Sequence, residues 1–317
     1  MNISLLISVL LFFNLTSQDS VKVKNKKLEN NISGIDTTGI IDSTNAGKSE
    51  LKIEPAKKSI NMTKSPLKYP IVNNQAFNIG EKLTFKIRYG FVRAGTATME
   101  VVGEGRVKKR PVYHIRTTAE SAAGFSWIYN VDDVIESYID KQGLFSWKFN
   151  KKLHEGSYKA DLFVDYFPED SLADVSFTRY KRRNRVIKKN YQVKTAPFSF
   201  DILAAFYYIR TQDLKVGRSV RITNHDNKRV YDLDIVVHRR DTLEVEFGTF
   251  RCLVVEPLLK GEGIFKQEGR LQVWLTDDKF KIPVQMTSAV VVGHITTELE
   301  KIEGFEKEIP ALVARNE

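Results

Sequence analysis

The chain has 317 residues, 42% of them hydrophobic and 11% aromatic, with a formal net charge of +10. That length allows one large or two modest domains with a substantial core, and the basic balance permits contact with anionic surfaces. The single cysteine, Cys252, excludes an intramolecular disulfide, a CxxC redox pair and a cysteine-based zinc cluster.

The N-terminus carries a nearly unbroken apolar run, Ile3–Leu15. It is too short for a spanning helix, which needs about 20 residues, and has the length of a signal-peptide core. Residues 1–17 therefore read as a signal peptide, although no Lys or Arg precedes the run. No cysteine sits near the cut, so a lipoprotein anchor is not expected, and no later stretch is apolar enough to span a membrane once the signal is removed. The expected location is periplasmic or envelope-associated. Residues 18–68 are rich in Lys, Asn and Ser and almost free of aromatics. Such a segment buries too little to offset its ordering entropy and reads as a disordered linker.

From residue 69 to 305 the pattern is that of a single antiparallel β domain. Leu83, Phe85, Ile87 and Tyr89 alternate with polar residues, the chain turns between Gly90 and Gly95, and Ala97, Met99 and Val101 resume the alternation; this predicts a hairpin. A strand over Val112–Thr118 carries His114 on a partly exposed face. Glu120–Tyr129 could make a short helix around Trp127. Val131–Ile139 and Leu144–Phe149 predict another pair, with Trp147 and Phe149 on one face. Ser157–Tyr166 and Asp174–Tyr180 are strands about a turn at 167–170. The following hairpin tip carries Lys181, Arg182, Arg183, Arg185, Lys188 and Lys189, the densest cationic patch in the chain. It fits a solvated tip that guards a sheet edge, or a contact for an anionic partner. Specific nucleic-acid binding is not expected, because no aromatic platform or recognition helix accompanies it.

Residues 199–210 form the one clear helix. Ser199 is the expected N-cap, and Ile202, Leu203, Phe206 and Ile209 fall at helical spacing. Strands follow at Val220–Thr223, Arg229–Val237, Thr242–Phe247 and Thr249–Pro257, with a turn expected at Arg239–Asp241. Gly261–Gly269 is not a phosphate loop, since no Lys-Ser/Thr and no helix follow. Arg270–Glu303 reads as three more strands, broken at Asp277-Asp278-Lys279 and at Gly293. The tail, 306–317, is charged and is expected to fray.

No HExxH, GxSxG, Walker, Rossmann or EF-hand pattern is present. The histidines at 114, 154, 225, 238 and 294 lack ligand spacing, so no metal or other cofactor is expected. Three adjacent acidic pairs, Asp132-Asp133, Glu169-Asp170 and Asp277-Asp278, sit at strand ends or turns, where Asp is common for local reasons.

Four motifs then carry a family resemblance over roughly residues 78 to 304. They are Tyr89-Gly90 with Ala94, Gly95 and Ala97; Asp201, Leu203, Ala205, Tyr207, Tyr208 and Arg210 on the helix; Gly248, Phe250 and Cys252; and Trp274, Asp277, Asp278 and Pro283. Together they resemble the exported bacterial domain-of-unknown-function family numbered 3108. That resemblance implies no activity and no catalytic residues. The closing strands also resemble, less closely, the Lol-type lipoprotein-carrier half-barrels, in which a curved sheet wraps a helix and holds acyl chains.

The fold expected is mainly β: a curved antiparallel sheet, sandwich or half-barrel meander with one packed helix. The function expected is that of an exported non-enzymatic envelope protein binding a lipid, another apolar ligand or an envelope component. Two alternatives are a structural or interaction module using the basic hairpin to hold cell wall or another anionic envelope polymer or protein, and an unrecognised hydrolase working through carboxylates.

Overall fold

The computed structural model describes residues 68–183, 185–259, 271–289 and 294–316. The expected signal peptide, the linker up to residue 67, the glycine-bearing stretch 261–269 and the Gly293 turn lie outside them. Fifteen strands form one sheet: β1 Lys82–Tyr89, β2 Val92–Val107, β3 Arg110–Ser121, β4 Asp132–Asp140, β5 Ser146–Glu155, β6 Tyr158–Phe167, β7 Leu172–Tyr180, β8 Val186–Lys194, β9 Ser219–Asp226, β10 Arg229–Val245, β11 Gly248–Leu259, β12 Leu271–Thr276, β13 Pro283–Ala289, β14 His294–Glu303 and β15 Leu312–Arg315. Among the described residues one helix, α1, spans Ile202–Arg210.

Every pairing between strands is antiparallel. The spatial order is β8 to β1 in sequence, then β14 back to β9, with β15 beside β11. Two runs of hairpins are thus joined where β1 pairs with β14. Period-two alternation fixes which face is buried: Leu83, Phe85 and Ile87 of β1 and Ile135 and Ile139 of β4 point inward. Register shifts interrupt seven of the pairings, for example at Val101/Gly103 and Val237/Arg239. Such bulges bend and twist a sheet.

The curved sheet wraps α1, whose Leu203, Ala204, Ala205, Tyr207, Ile209 and Arg210 are all buried. Large apolar side chains buried this way stabilise by about 1.5–3 kcal/mol each relative to exposure. Residues 199–200 tie two distant strands together. Ser146 N on β5 donates to Ser199 O, Phe200 N donates to Thr223 O, and His225 N on β9 donates to Phe200 O. Side chains close the same gap: Tyr166 of β6 hydrogen-bonds His225 of β9 at 3.1 Å, and Tyr191 of β8 donates to Asn227.

Five expectations are corrected. The helix is capped by Asp201, whose Oδ1 accepts from Leu203 N and Ala204 N; the Ser199 hydroxyl donates to Ala196 O instead. Residues 123–128 form turns rather than a helix. The expected break at Arg239–Asp241 is absent, because β10 runs unbroken for 17 residues and absorbs His238 as a bulge. Trp147 and Phe149 do not share a face. Tyr138 pairs with Lys148 and Ile139 with Ser146, so the register skips Trp147. Trp147 packs instead with Val107, Val112 and Phe145 in a second, smaller cluster. Finally, the tail does not fray as a whole: β15 pairs with Gly248–Phe250 of β11, and Ala311 is fully buried.

Candidate functional site

An apolar hollow lies between α1 and the β9–β12 part of the sheet. From the helix it is lined by Ile202, Ala205, Phe206 and Ile209, a stripe set by the helical repeat. From the sheet it is lined by Ile222, Leu233, Ile235, Val255, Pro257, Leu271, Val273 and Leu275. The steps of two along β10, β11 and β12 put these side chains on one face. The β11–β12 register ends at Val255↔Val273; Pro257 and Leu271 lie just past that end, and Pro257 has no N–H with which to continue it.

The hollow is partly open to solvent and has a cavity volume of about 40 Å³. None of its lining side chains is titratable or can form a hydrogen bond. Its walls offer a water molecule no hydrogen-bond partner. By the cavity coefficient of about 24 cal/mol per Å³, an unfilled 40 Å³ void costs on the order of 1 kcal/mol. An apolar occupant recovers that loss and gains contacts besides.

Buried charge anchors both ends of the helix that forms one wall. At its start, Asp201 accepts from Ser137 Oγ and Ser146 Oγ, each at 2.6 Å, as well as from the two backbone N–H groups of the first turn. Burial raises its pKa, and these four donors pull the other way. At its end, Arg210 donates to both oxygens of Glu81, to Ala76 O and to Phe280 O. Its guanidinium also lies 5.2 Å from the Tyr207 ring centre and 5.6 Å from that of Phe77. Burial lowers the Arg210 pKa, but the Glu81 carboxylate outweighs it and the group is held above its ordinary value.

Other ionisable clusters lie outside the hollow. Asp133 is fully buried and sits against Glu155. Burial, then the Glu155 charge, push its pKa up to about 8, while the His154 N–H acts against them. His114 bonds Glu136 at 2.9 Å and stacks on Tyr138. His238 bonds Glu256 at 2.7 Å. Asp278 shapes its turn by accepting from Thr276 Oγ1, Phe280 N, Lys281 N and Ala311 N, while Asp277 accepts from Arg240. The Cys252 thiol is buried and its pKa is pushed up to about 12, first by burial. Among the described residues, no group of three or more His, Cys, Asp or Glu could hold a metal ion.

The basic residues singled out from the sequence are all exposed. Lys181, Arg182, Arg183 and Arg185 flank the β7–β8 turn, while Lys188 and Lys189, adjacent in the edge strand β8, are exposed on its opposite faces. None of them lines the hollow. The sequence reading missed the hollow residues as a set; the helical stripe was the one signal available for them.

A curved antiparallel sheet around one capped helix, with an apolar hollow and no catalytic constellation in it, defines a β-sheet protein of the helix-wrapping kind. The chain belongs to the family described as "Protein of unknown function (DUF3108)", which matches residues 84–300. Three solved structures are similar to it. A β-barrel-like protein of the domain of unknown function DUF1849 from Brucella abortus is 10% identical, with 72% of this chain and 99% of that one covered and a TM-score of 0.44. A protein from Bacteroides fragilis described as exported, with a YmcC-like fold, is 10% identical, covers 74% and 97%, and has a TM-score of 0.31. A protein from Parabacteroides distasonis described as a lipoprotein is 11% identical over the same shares, also at 0.31. No curated protein matches the chain.

Proposed function

We propose that this chain is an exported, non-enzymatic protein of the cell envelope that holds an apolar ligand in the hollow between α1 and strands β9–β12. The observation that carries this reading is the lining: twelve side chains converge on the hollow and all are apolar. A site built this way recognises by burial and shape, and recovers the packing lost around an empty void. The apolar run Ile3–Leu15 supports export. Among the described residues no helix is long and apolar enough to cross a membrane. The hollow's walls carry no general acid, base or nucleophile to touch a substrate held there, which favours a binding role for that place over the hydrolase alternative.

Native mass spectrometry of the purified full chain tests the reading directly. The expected result is a retained or readily loaded lipid-sized apolar adduct. Protein that stays ligand-free after incubation with fatty acids and phospholipids would refute it.

A further inference from the structure

A second surface carries information that the hollow does not. The β1–β2 turn and the 122–130 connection between β3 and β4 lie side by side. β2 and β3 pair from Gly95↔Ser121, and just beyond that pair Ala122 N donates to Ala94 O at 2.9 Å. Both turns hold large apolar side chains out in solvent. Phe91 is 96% exposed, Val92 57%, Trp127 81% and Ile128 53%. Single exposed hydrophobes are ordinary on a protein surface; four on two adjoining turns, two of them aromatic, make a patch.

The patch is built rather than loose. Trp127 Nε1 donates to Gly124 O at 2.8 Å, and the turn beneath is held by Phe125 N and Ser126 N donating to Ala122 O and by Ile128 N and Tyr129 N donating to Phe125 O. Residues 121–131 contain no charged side chain, and the β1–β2 turn adds only Arg93. Because the strands are antiparallel, the β1–β2, β3–β4, β5–β6 and β7–β8 connections fall at the same ends of their strands. The last of these is the exposed cationic tip of Lys181, Arg182, Arg183 and Arg185.

We propose that this row of turns docks on an anionic phospholipid bilayer, with Phe91, Trp127 and Ile128 entering the interface and the β7–β8 cations drawn to the headgroups. Aromatic side chains suit the headgroup zone, and Trp does so with its N–H satisfied. Clustered Lys and Arg supply the attraction to anionic lipid, with a strength that falls as salt rises. The assignment stands whether or not the hollow holds a ligand.

The protein contains its own reporter. Of its three tryptophans, Trp147 and Trp274 are buried and Trp127 alone is exposed. The full chain is mixed with vesicles of phosphatidylcholine containing phosphatidylglycerol, and Trp emission and quenching by brominated lipid are followed. A blue shift with lipid quenching is expected, weakened by salt and smaller on pure phosphatidylcholine. The double variant F91E/I128E keeps the reporter and should lose vesicle association by about tenfold or more, with unchanged urea unfolding. R182E/R183E/R185E should abolish the preference for phosphatidylglycerol. Two outcomes overturn the proposal. One is vesicle recruitment with Trp127 emission unmoved, which assigns binding to another part of the chain such as Ile3–Leu15. The other is retention on cell-wall polymer or protein without any vesicle response.

Discussion

Arg210 Nη1 donates to Glu81 Oε1 at 2.6 Å and Arg210 Nη2 to Glu81 Oε2 at 2.9 Å, with neither side chain exposed. The pair ties the last turn of α1 to the residue that enters β1. It therefore fixes the helix wall against the seam where the two runs of hairpins meet. Two parallel charge-assisted bonds and two carbonyl acceptors satisfy most of the guanidinium's donors.

Breaking this pair from one side should be costly. Arg210→Met leaves the Glu81 carboxylate buried without its counter-charge, and a loss of about 3–5 kcal/mol is expected. The double variant R210M/E81Q removes the orphaned charge and should recover a good part of that loss. Urea unfolding of wild type, both single variants and the double variant measures the coupling. Additive single effects would show that the two groups do not act as a pair.

The helix cap makes a milder prediction. Asp201→Ala deprives two backbone N–H groups and two buried serine hydroxyls of their acceptor. Caps alone are worth about 0.5–2 kcal/mol, and the orphaned serines should take the loss to the upper end of that range or past it. Asp201→Asn keeps an acceptor at Oδ1 and should cost less. Denaturant midpoints at constant m-value rank the two.

The strand pattern and the helix were legible because burial follows period two in β1 and β4 and the 3.6-residue repeat in α1. The acidic pairs were not legible, for the same reason. Asp132 and Asp133 are adjacent in sequence and so point to opposite faces of β4. Asp132 is exposed, while Asp133 is buried and meets Glu155, contributed by β5. Glu81 and Arg210 stand 129 positions apart, and no local pattern joins them. The hollow gathers side chains from α1, β9, β10, β11 and β12, which no local pattern joins. Trp147 left its expected face because a bulge inserts one residue, which periodicity alone cannot foresee. The glycines of the recognised motifs do find physical reasons. A Cβ on Gly95 would lie 2.3 Å from Glu120 O, the close approach that lets β2 and β3 pair there.

Asp133 gives a pH prediction with a definite sign. Its folded pKa of about 8 lies above the ordinary 3.8, so between those values the folded state holds a proton that the unfolded state has released. Stability should therefore fall as pH rises from about 4 to about 8, and the whole cost is present above that window. Asp133→Asn keeps the oxygen that accepts from His154 N and removes the ionisation. The variant should match wild type near pH 4 and exceed it near pH 8, by on the order of a few kcal/mol. Thermal unfolding across that range checks it. A parallel pH dependence in the two proteins would show that Asp133 is not the group responsible.

Gly248 tests whether the chain end belongs to the sheet. A Cβ there would approach Ala314 O to 2.4 Å and Leu312 Cδ1 to 3.0 Å. Gly248→Ala should push β15 off β11 with a loss of about 1–3 kcal/mol at most, because β15 is short and lies at an edge. Limited proteolysis should then remove the last residues faster than in wild type while the rest of the sheet stays resistant.

The hollow supplies the last prediction. Ala205 is buried on the helix stripe and faces the space directly. Ala205→Phe places a ring where an apolar ligand would lie. In a packed core such an insertion costs about 1–3 kcal/mol, but here it enters unfilled space, so the net change in stability should be smaller. Loading with a fatty acid or phospholipid should fall sharply in the variant, as read by native mass spectrometry or by displacement of a fluorescent apolar probe. The opposite change, Phe206→Ala, enlarges the same space, and should lower stability while leaving loading intact or increasing it. If both variants load like wild type, the ligand sits elsewhere in the molecule. If Ala205→Phe alone fails to load and remains folded, the space between α1 and strands β9–β12 is where it binds.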